Sequence, residues 1–555
     1  MINISAVPQV LIVGAGPVGM TLALELASRG IATMLAEQRG ADAPAHPKCN
    51  TISARSLEIF DRLGCADGIV GCGLPPGFTN DVVYSTSYAG GHEIARLHLP
   101  SRARRWSDDR FAFDGGWPSA HRPHRASQIY LEQVLRARIA AEPLIDLRFD
   151  TEVVAAEAHD DGVRVTMREG ADGSAAEPSF AYVVGCDGGR SLVRRAMGTK
   201  LVGSSAVETK IWAIYFRSKG MLAAGPDGGV WMNWIIQEQQ RGTLIAIDGE
   251  ELWLVHCNVP AHLTHDEFDW RPGVRALLGT DIDYEVIAAE QWRLNRAVAE
   301  NYRIGRFFLA GDAAHIWPPF GGFGMNSGVE DAASLGWMLG AVLNGWASPA
   351  LLDAYEAERK PVGELVSRAA DEMVAQQRQA AAAEGLQADV RRDDPVGARA
   401  RAAIGRNIVA IDSQQFDPQG LNFGIAYSAS PIIVHDDGEA PAFSVRDYRP
   451  TTVPGCRAPW FVSHDGVGLY ERLGRDFALL RLDRAIAVDG FADAATAIGL
   501  PLAVLDIGHE PQARKLYDHD LLLVRPDGRI AWRGNAMPAD PAAILGVVTG
   551  RATAV

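Results

Sequence analysis

The stretch that most constrains this chain is Gln9–Arg39, QVLIVGAGPVGMTLALELASRGIATMLAEQR. Val10–Val13 is a short apolar run with β-branched residues and reads as a buried parallel strand. Gly14-Ala15-Gly16-Pro17-Val18-Gly19 then fits GxGxxG. Val18, Leu22 and Leu26, with the small Ala23 and Ala27, recur at helical spacing, and Gly30 closes the helix. Thr33–Ala36 reads as a second strand, with Glu37 at its end, 23 positions after Gly14. Gly14 makes the tight turn, Gly16 admits a pyrophosphate to the backbone, and Gly19 lets the helix pack on the strand. The helix N-terminus faces the phosphates, and Glu37 accepts a hydrogen bond from a ribose hydroxyl. A lone GxGxxG is a weak signal because glycine is common in loops. Here strand, helix, second strand and acidic terminus fall in register, which points to dinucleotide binding. An acidic end suits an adenosine ribose without a 2′-phosphate, as in FAD or NAD.

The 555 residues suffice for two or three domains. A net charge of −15 argues against nucleic acid or an anionic membrane surface as partner. No apolar run reaches membrane-span length, and residues 1–8 lack a basic n-region, so the expectation is a cytoplasmic protein without a signal peptide. The six cysteines are scattered, with no CxxC and no zinc spacing, so free thiols and no metal are expected.

Further along, Pro47–Arg55 reads as a polar loop that runs into a helix at Ser56–Leu63. Arg55 stands where it can reach a phosphate or a flavin edge; its bland role is a solvated charge at a helix start. Asn80–Leu99 alternates like strands, Arg102–Arg105 and Asp108–Arg110 read as a charged, solvated loop, and Ser127–Ala140 is an amphipathic helix with Gln128 at its start. FAYVVGCDG ends a strand in Asp187-Gly188, placing a carboxylate and backbone amides beside a cofactor. Residues 205–298 alternate and are rich in β-branched and aromatic residues, which predicts an antiparallel sheet. Trp212, Tyr215, Trp231, Trp234 and His256 on it are candidates for an aromatic pocket or, individually, for sheet core. Phe307–Ala310 leads into Gly311-Asp312-Ala313-Ala314-His315 and then Pro318-Pro319-Phe320-Gly321-Gly322-Phe323-Gly324-Met325-Asn326. Helices are expected at about Ser327–Leu343 and Leu351–Ala375. Residues 376–406 read as helix plus linker, and a small α/β domain follows beyond about 440.

Three separated motifs now coincide: GAGPVG with Glu37, GCDGGRSLVR, and LAGDAAH…PPFGGFGMN. Together they resemble the class A flavoprotein monooxygenases, the single-component aromatic hydroxylases, over about residues 8–375. LLDAYEAERKPV is also typical of them. PGCRAPW and LLLVRPDGRIAWRG resemble the C-terminal domain of the phenol hydroxylase branch, without redox cysteines. GGFGMNSGVEDAASLGWML and HPKCNTISARSLEIF look closest to the polyketide and indolocarbazole oxygenases. The implied fold class is α/β: a Rossmann-like FAD-binding domain (1–80, 100–200 and 290–375) and an antiparallel-sheet substrate domain (80–100 and 201–290), as in para-hydroxybenzoate hydroxylase. A helical linker (376–439) and a thioredoxin-like domain (440–555) complete it.

The resemblance also implies roles. Gly14, Gly16, Pro17, Val18, Gly19, Glu37, Gln38 and Arg39 hold the ADP half of FAD, and Arg55 and Gln128 match cofactor-contacting positions. Asp187 and Gly188 belong to the second fingerprint, near pyrophosphate and nicotinamide. Asp312 matches the acid that binds the ribityl chain, and Pro319 the proline beside the flavin where substrate is hydroxylated. Gly324, Met325 and Asn326 match the helix start under the pyrimidine edge. NADPH or NADH is the implied transient reductant. Molecular oxygen adds to flavin C4a as a hydroperoxide, which an electron-rich ring attacks. Asn50 occupies the position where several phenol hydroxylases carry an acid or base, and it cannot titrate; His46, His256 or a water relay can substitute. The implied function is hydroxylation of a phenolic or polycyclic aromatic, with Pro319, Asn50, Tyr215, Trp231 and His256 as catalytic candidates, in a monomer or homodimer. The alternatives are a Baeyer–Villiger or oxidative-decarboxylating oxygenase on the same fold, a flavin-dependent halogenase, or a non-catalytic FAD- or ligand-binding protein. GVWMNWII lacks the spacing and proline of the halogenase box.

Overall fold

The computed structural model describes residues 8–44, 46–105, 116–170, 173–203, 209–237, 240–381 and 389–553. Asp108–Arg110 lies outside them. A six-stranded sheet carries the first nucleotide unit, in the order Arg303–Ile304, Phe307–Leu309, Tyr182–Gly185, Val10–Val13, Thr33–Ala36, Ile145–Arg148. Its pairs are parallel except the outermost, Arg303–Ile304 with Phe307–Leu309. Val10, Leu11, Ile12 and Leu35 are fully buried, as expected for parallel strands covered on both faces. The Pro17–Ala27 helix packs so tightly on its strand that a Cβ on Gly19 would lie 2.0 Å from the carbonyl oxygen of Gly14. The Phe323–Leu343 helix crosses the same helix, and a Cβ on Gly328 would lie 2.5 Å from Val18 Cγ2. Side chains at either position would push apart the layers that shape the nucleotide cleft.

A seven-stranded sheet forms the second layer, in the order Glu285–Leu294, Thr209–Arg217, Leu252–Val259, Arg241–Ala246, Met232–Ile236, Val82–Ser85, Glu93–Leu97. It is antiparallel apart from the parallel pair Met232–Ile236 with Val82–Ser85. One face is covered by the Trp270–Leu278 helix, where Cβ positions on Gly242 and Gly273 would meet Leu277 and Cys257. Of the Ala- and Arg-rich segment expected to be helix plus linker, the described residues are largely helical. The Asp353–Ala381 helix runs through Pro361, and Pro395–Phe416 packs along Glu93–Leu97 with Ile404 and Ile408 buried. Its alanines are good helix formers, and its apolar stripe finds the sheet edge.

The C-terminal part is a thioredoxin-like four-stranded sheet ordered Leu502–Asp506, Phe477–Arg481, Leu521–Val524, Ile530–Gly534, with the Asp489–Ile498 and Pro541–Val548 helices against it. Cys456 is buried and has no cysteine neighbour for a disulfide among the described residues. Buried ions fasten this sheet to the rest. Arg525 bonds both oxygens of Glu358 at 2.5 and 2.8 Å and also bonds Asp527, with the Arg525 and Glu358 side chains fully excluded from solvent. Beside them Glu58 accepts from Arg457, Arg55 and Ser119. Burial pulls the Glu58 carboxyl upward, but Arg457 and Arg55 outweigh it and hold the group below its usual range.

Removing one partner of a sealed ion pair strands the other charge. Glu358→Ala should therefore lower unfolding free energy by about 3–5 kcal/mol, read from urea or guanidinium midpoints. A change below about 1 kcal/mol would show that the pair does not hold the domains together.

Candidate active site

The helix at Pro17–Ala27 begins with Gly16 as N-cap and Pro17 in the first turn, and no side chain caps it. A Cβ on Gly16 would meet nothing within 4 Å, so the helix start opens into a groove fit for an anion. Glu37 Oε2 accepts from the Ala15 amide at 3.0 Å and Oε1 from the Arg39 amide at 2.9 Å, which fixes the acid beside the glycine loop. Gln38 and Arg39 are exposed, and Arg39 bonds the Pro44 carbonyl. Val18 is half-buried and packs beneath Gly311 and Gly328.

Asp187 Oδ2 accepts from the amides of Leu192 and Val193 at 2.6 and 3.2 Å, while its Oδ1 is buried without a partner. Gly188 follows at φ +76° with open space around its Cα. Asp312 stands in a one-turn helix, Gly311–Ala313, and its side chain is open to solvent. The protein around that side chain nevertheless pushes its carboxyl up, against the pull of His315 and Lys48.

That turn rests on Asp331. Its Oδ2 accepts from the Gly311 amide at 3.1 Å and pairs with His315 Nε2 at 2.7 Å; its Oδ1 takes Arg359 Nε at 2.7 Å. Burial raises the Asp331 carboxyl, but Arg359 and His315 overcome it and keep it below the usual range. Sequence reasoning missed Asp331, although two adjacent acids, Glu330 and Asp331, among the small and apolar residues of GVEDAASLGWML signal that one of them has a buried partner.

Pro319 is exposed and leads through Phe320 into Gly321 and Gly322, both at φ +66°. The left-handed Gly322 caps a helix that already starts at Phe323, so Gly324, Met325 and Asn326 form its first turn instead of preceding it. Gly324 and Met325 are half-buried, and the turn lacks a side-chain cap. The Asn326 side chain is spent internally. Its Oδ1 accepts from the Ser53 amide and the Ser56 hydroxyl, and its Nδ2 donates to the carbonyls of Thr51 and Gly322. Toward a ligand this position offers its backbone. The Gln128 amide donates to the Cys49 carbonyl at 2.6 Å and its side chain to Glu132, while the neighbouring Asn50 keeps a buried Oδ1 with no partner.

The Arg55 guanidinium bonds Glu58 at 2.8 Å and the Asp527 carbonyl at 2.7 Å, so it ties the Ala54–Arg62 helix to the C-terminal part.

The aromatic candidates also divide. Side chains alternate faces along a strand, so residues three apart cannot share one. Trp212 lies opposite Tyr215, on the face of the Trp270–Leu278 helix, edge-on to His265. Trp231 is 2% exposed, edge-on to Phe416 and 5.0 Å beneath the Arg125 guanidinium; it is core, as its bland reading held. Tyr215 is 8% exposed but shares a face with Trp234 and His256.

Register places Tyr84, Trp234, Thr243, His256, Ala213 and Glu290 in one row across that face. Tyr84 and Trp234 stack at 6.3 Å. Phe320 stands over Trp234 at 5.7 Å, and His46 pairs with Glu290 at 3.2 Å at the other end. The cleft loops thus meet both ends of the row, with the small Ala213 and Thr243 between. His256 lies against Trp292 with its Nε2 buried and unpartnered, and burial lowers its pKa to about 4. The isolated imidazole is held neutral while offering one nitrogen.

Residues 8–370 match the family model for an FAD binding domain, and 451–552 match that for the C-terminal region of aromatic-ring hydroxylases. The chain belongs to the class A flavoprotein monooxygenases. It is 31% identical to an FAD-dependent monooxygenase of Emericella nidulans over 95% of this chain and 88% of that protein. It is 31% identical to 4-methyl-5-nitrocatechol 5-monooxygenase of a Burkholderia species, over 97% and 96% of the two chains. Among solved structures it is similar to RebC, soaked with chromopyrrolic acid and with bound 7-carboxy-K252c: TM-score 0.88, 31% identity, 98% and 99% covered. This chain is therefore an FAD-dependent monooxygenase. No helix among the described residues is long and apolar enough to cross a membrane.

His256 carries a pH signature. Its folded pKa, about 4, lies below the unfolded value of about 6.5. The unfolded chain binds a proton between those values that the folded site refuses, so this contribution is complete above pH ~6.5 and lost as pH falls toward 4. Denaturant titrations from pH 7.5 to 4.5 should show a shallower loss of stability in His256→Gln than in the parent. Equal slopes would place the imidazole in water.

Proposed function

We propose that the enzyme hydroxylates a planar, electron-rich aromatic compound, phenolic or polycyclic, consuming NADPH or NADH and molecular oxygen. The observation that carries this reading is the row Trp234–Thr243–His256 bridged to the cleft by Phe320 at one end and His46 at the other. It makes a floor in which the aromatic Trp234 stands beside a few polar groups, Thr243, His256 and Glu290, with Phe320 over it and Pro319 next in the chain.

The cleft residues fit FAD on their own chemistry. The open groove at Gly16, the unpartnered Asp187 and Asn50 oxygens and the uncapped turn at Gly324–Asn326 all offer positions for polar or charged ligand atoms. Bound FAD supplies the two-electron chemistry and the activation of oxygen. In this reading Gly14, Gly16 and Gly19 cradle the pyrophosphate, with Pro17 and Val18 shaping the turn. Glu37 holds the adenosine ribose, with Gln38 and Arg39 at its rim. Asp312 and Asp187, with Gly188, face the ribityl and pyrophosphate. The amides at 324–326 and their helix dipole stabilise negative charge at the pyrimidine edge. Asn50 orients a substrate hydroxyl without ionising it, and neutral His256 offers its unpartnered nitrogen as a hydrogen-bond acceptor. Tyr215 and Trp234 wall the ring and keep water out. The catechol in the name of the Burkholderia relative supports a phenolic substrate. The protein acts as a monomer or homodimer.

The test is NAD(P)H oxidation against simple and polycyclic phenols, with peroxide measured alongside. Stimulated oxidation with little peroxide is expected for the right ring; failure of every aromatic to stimulate oxidation would overturn the reading. Trp234→Ala should raise KM or peroxide leakage with flavin retained, and Asn50→Ala should cost a modest orientation loss. Glu37→Ala removes a charge-assisted bond worth about 1.5–3 kcal/mol, so FAD affinity should fall roughly 10- to 100-fold. Unchanged affinity would take Glu37 off the ribose.

A further inference from the structure

We propose that His464, His509 and Glu510 form a binding site for a divalent transition-metal ion such as Zn²⁺, on the C-terminal domain. The three arrive from two turns. His464 sits in the loop closed by the Ser463 amide to the Val467 carbonyl at 2.9 Å and by the Val462–Gly468 bridge. His509 and Glu510 end the turn after Leu502–Asp506, closed by the Glu510 amide to the Ile507 carbonyl at 3.0 Å. Two imidazoles converge on one carboxylate oxygen: His464 Nδ1 at 2.8 Å and His509 Nε2 at 3.2 Å from Glu510 Oε1. The ring planes cross at 74°, and the donor atoms all lie within 4.8 Å of one another. Bonds of about 2.0–2.1 Å to a tetrahedral zinc place neighbouring ligand atoms about 3.3 Å apart, so this cluster needs only small side-chain rotations.

The charge balance points the same way. The Glu510 side chain is 4% exposed, whereas the imidazoles are 67% and 51% exposed. Its other oxygen accepts from the His464 amide at 2.9 Å. Its ion pairs among the described residues are to these two histidines, neither of them a permanent cation, while nearby Arg472 pairs with Asp465. A sequestered carboxylate joined to two neutral-capable nitrogens is a donor set that a divalent ion completes, with water in the open position. The ion ties together two loops 45 positions apart without touching the flavin cleft.

The test uses tag-free, chelator-stripped holoenzyme titrated with ZnCl₂ by calorimetry, and with Cu²⁺ followed by electron paramagnetic resonance. One Zn²⁺ per chain is expected, with splitting from two imidazole nitrogens in the Cu²⁺ spectrum. His464→Ala and His509→Ala, both surface changes, should each weaken binding about tenfold or more, as should Glu510→Gln if its FAD content and circular dichroism are unchanged. Absence of stoichiometric binding, or parental affinity in either histidine variant, overturns the site.

Discussion

A carboxylate with no access to water holds the centre of this molecule. Asp331 is 0% exposed on a helix whose buried positions are mostly small and apolar, and an isolated charge there would be untenable. It is tolerable because His315, Arg359 and the Gly311 amide use its oxygens. Arg359 is fixed in turn by the Tyr427 hydroxyl and the Ser327 carbonyl. One buried ion thereby joins the end of the Phe307–Leu309 strand, the turn bearing Asp312, the Phe323–Leu343 helix and the Asp353–Ala381 helix.

From that anchor the site is assembled through buried side-chain bonds and backbone turns. Asn326 saturates its amide on two segments, tying the Thr51–Ser56 stretch to the glycine loop before Phe323. Gly321 and Gly322 supply the left-handed backbone that brings Pro319 and Phe320 to the substrate sheet. The sheet answers with a register-aligned row of side chains. Where the loops meet its ends, two layers that fold on separate cores come into contact. The Glu58 and Glu358 ion pairs clamp a third layer against the same helices.

Much of this was legible in the sequence because it is local. The strand–glycine–helix unit, the Asp187 strand end and the small α/β C-terminal region follow from periodicity and turn chemistry. What was not legible is tertiary. Arg55 matches a cofactor-contacting position, but Glu58 one turn on and Asp527 in a distant domain claim its guanidinium. Trp212 and Tyr215 were grouped by aromatic density, although a strand's period of two already separates them. Residues 376–406 read as helix plus linker, and which part is helix is settled by the sheet edge that offers an apolar surface to Pro395–Phe416. Thr243 and Glu290 give no signal at all alone; they gain meaning from cross-strand register.

The central claim is that this cleft inserts one atom of molecular oxygen into an aromatic ring lying on the Trp234–His256 row. Turnover under ¹⁸O₂ of any aromatic compound that stimulates NAD(P)H oxidation, with mass analysis of the product, tests it most directly. The account predicts a product heavier by one ¹⁸O, with the label on a ring carbon. Product oxygen derived from water, or all ¹⁸O recovered as hydrogen peroxide with the ring unchanged, would contradict it.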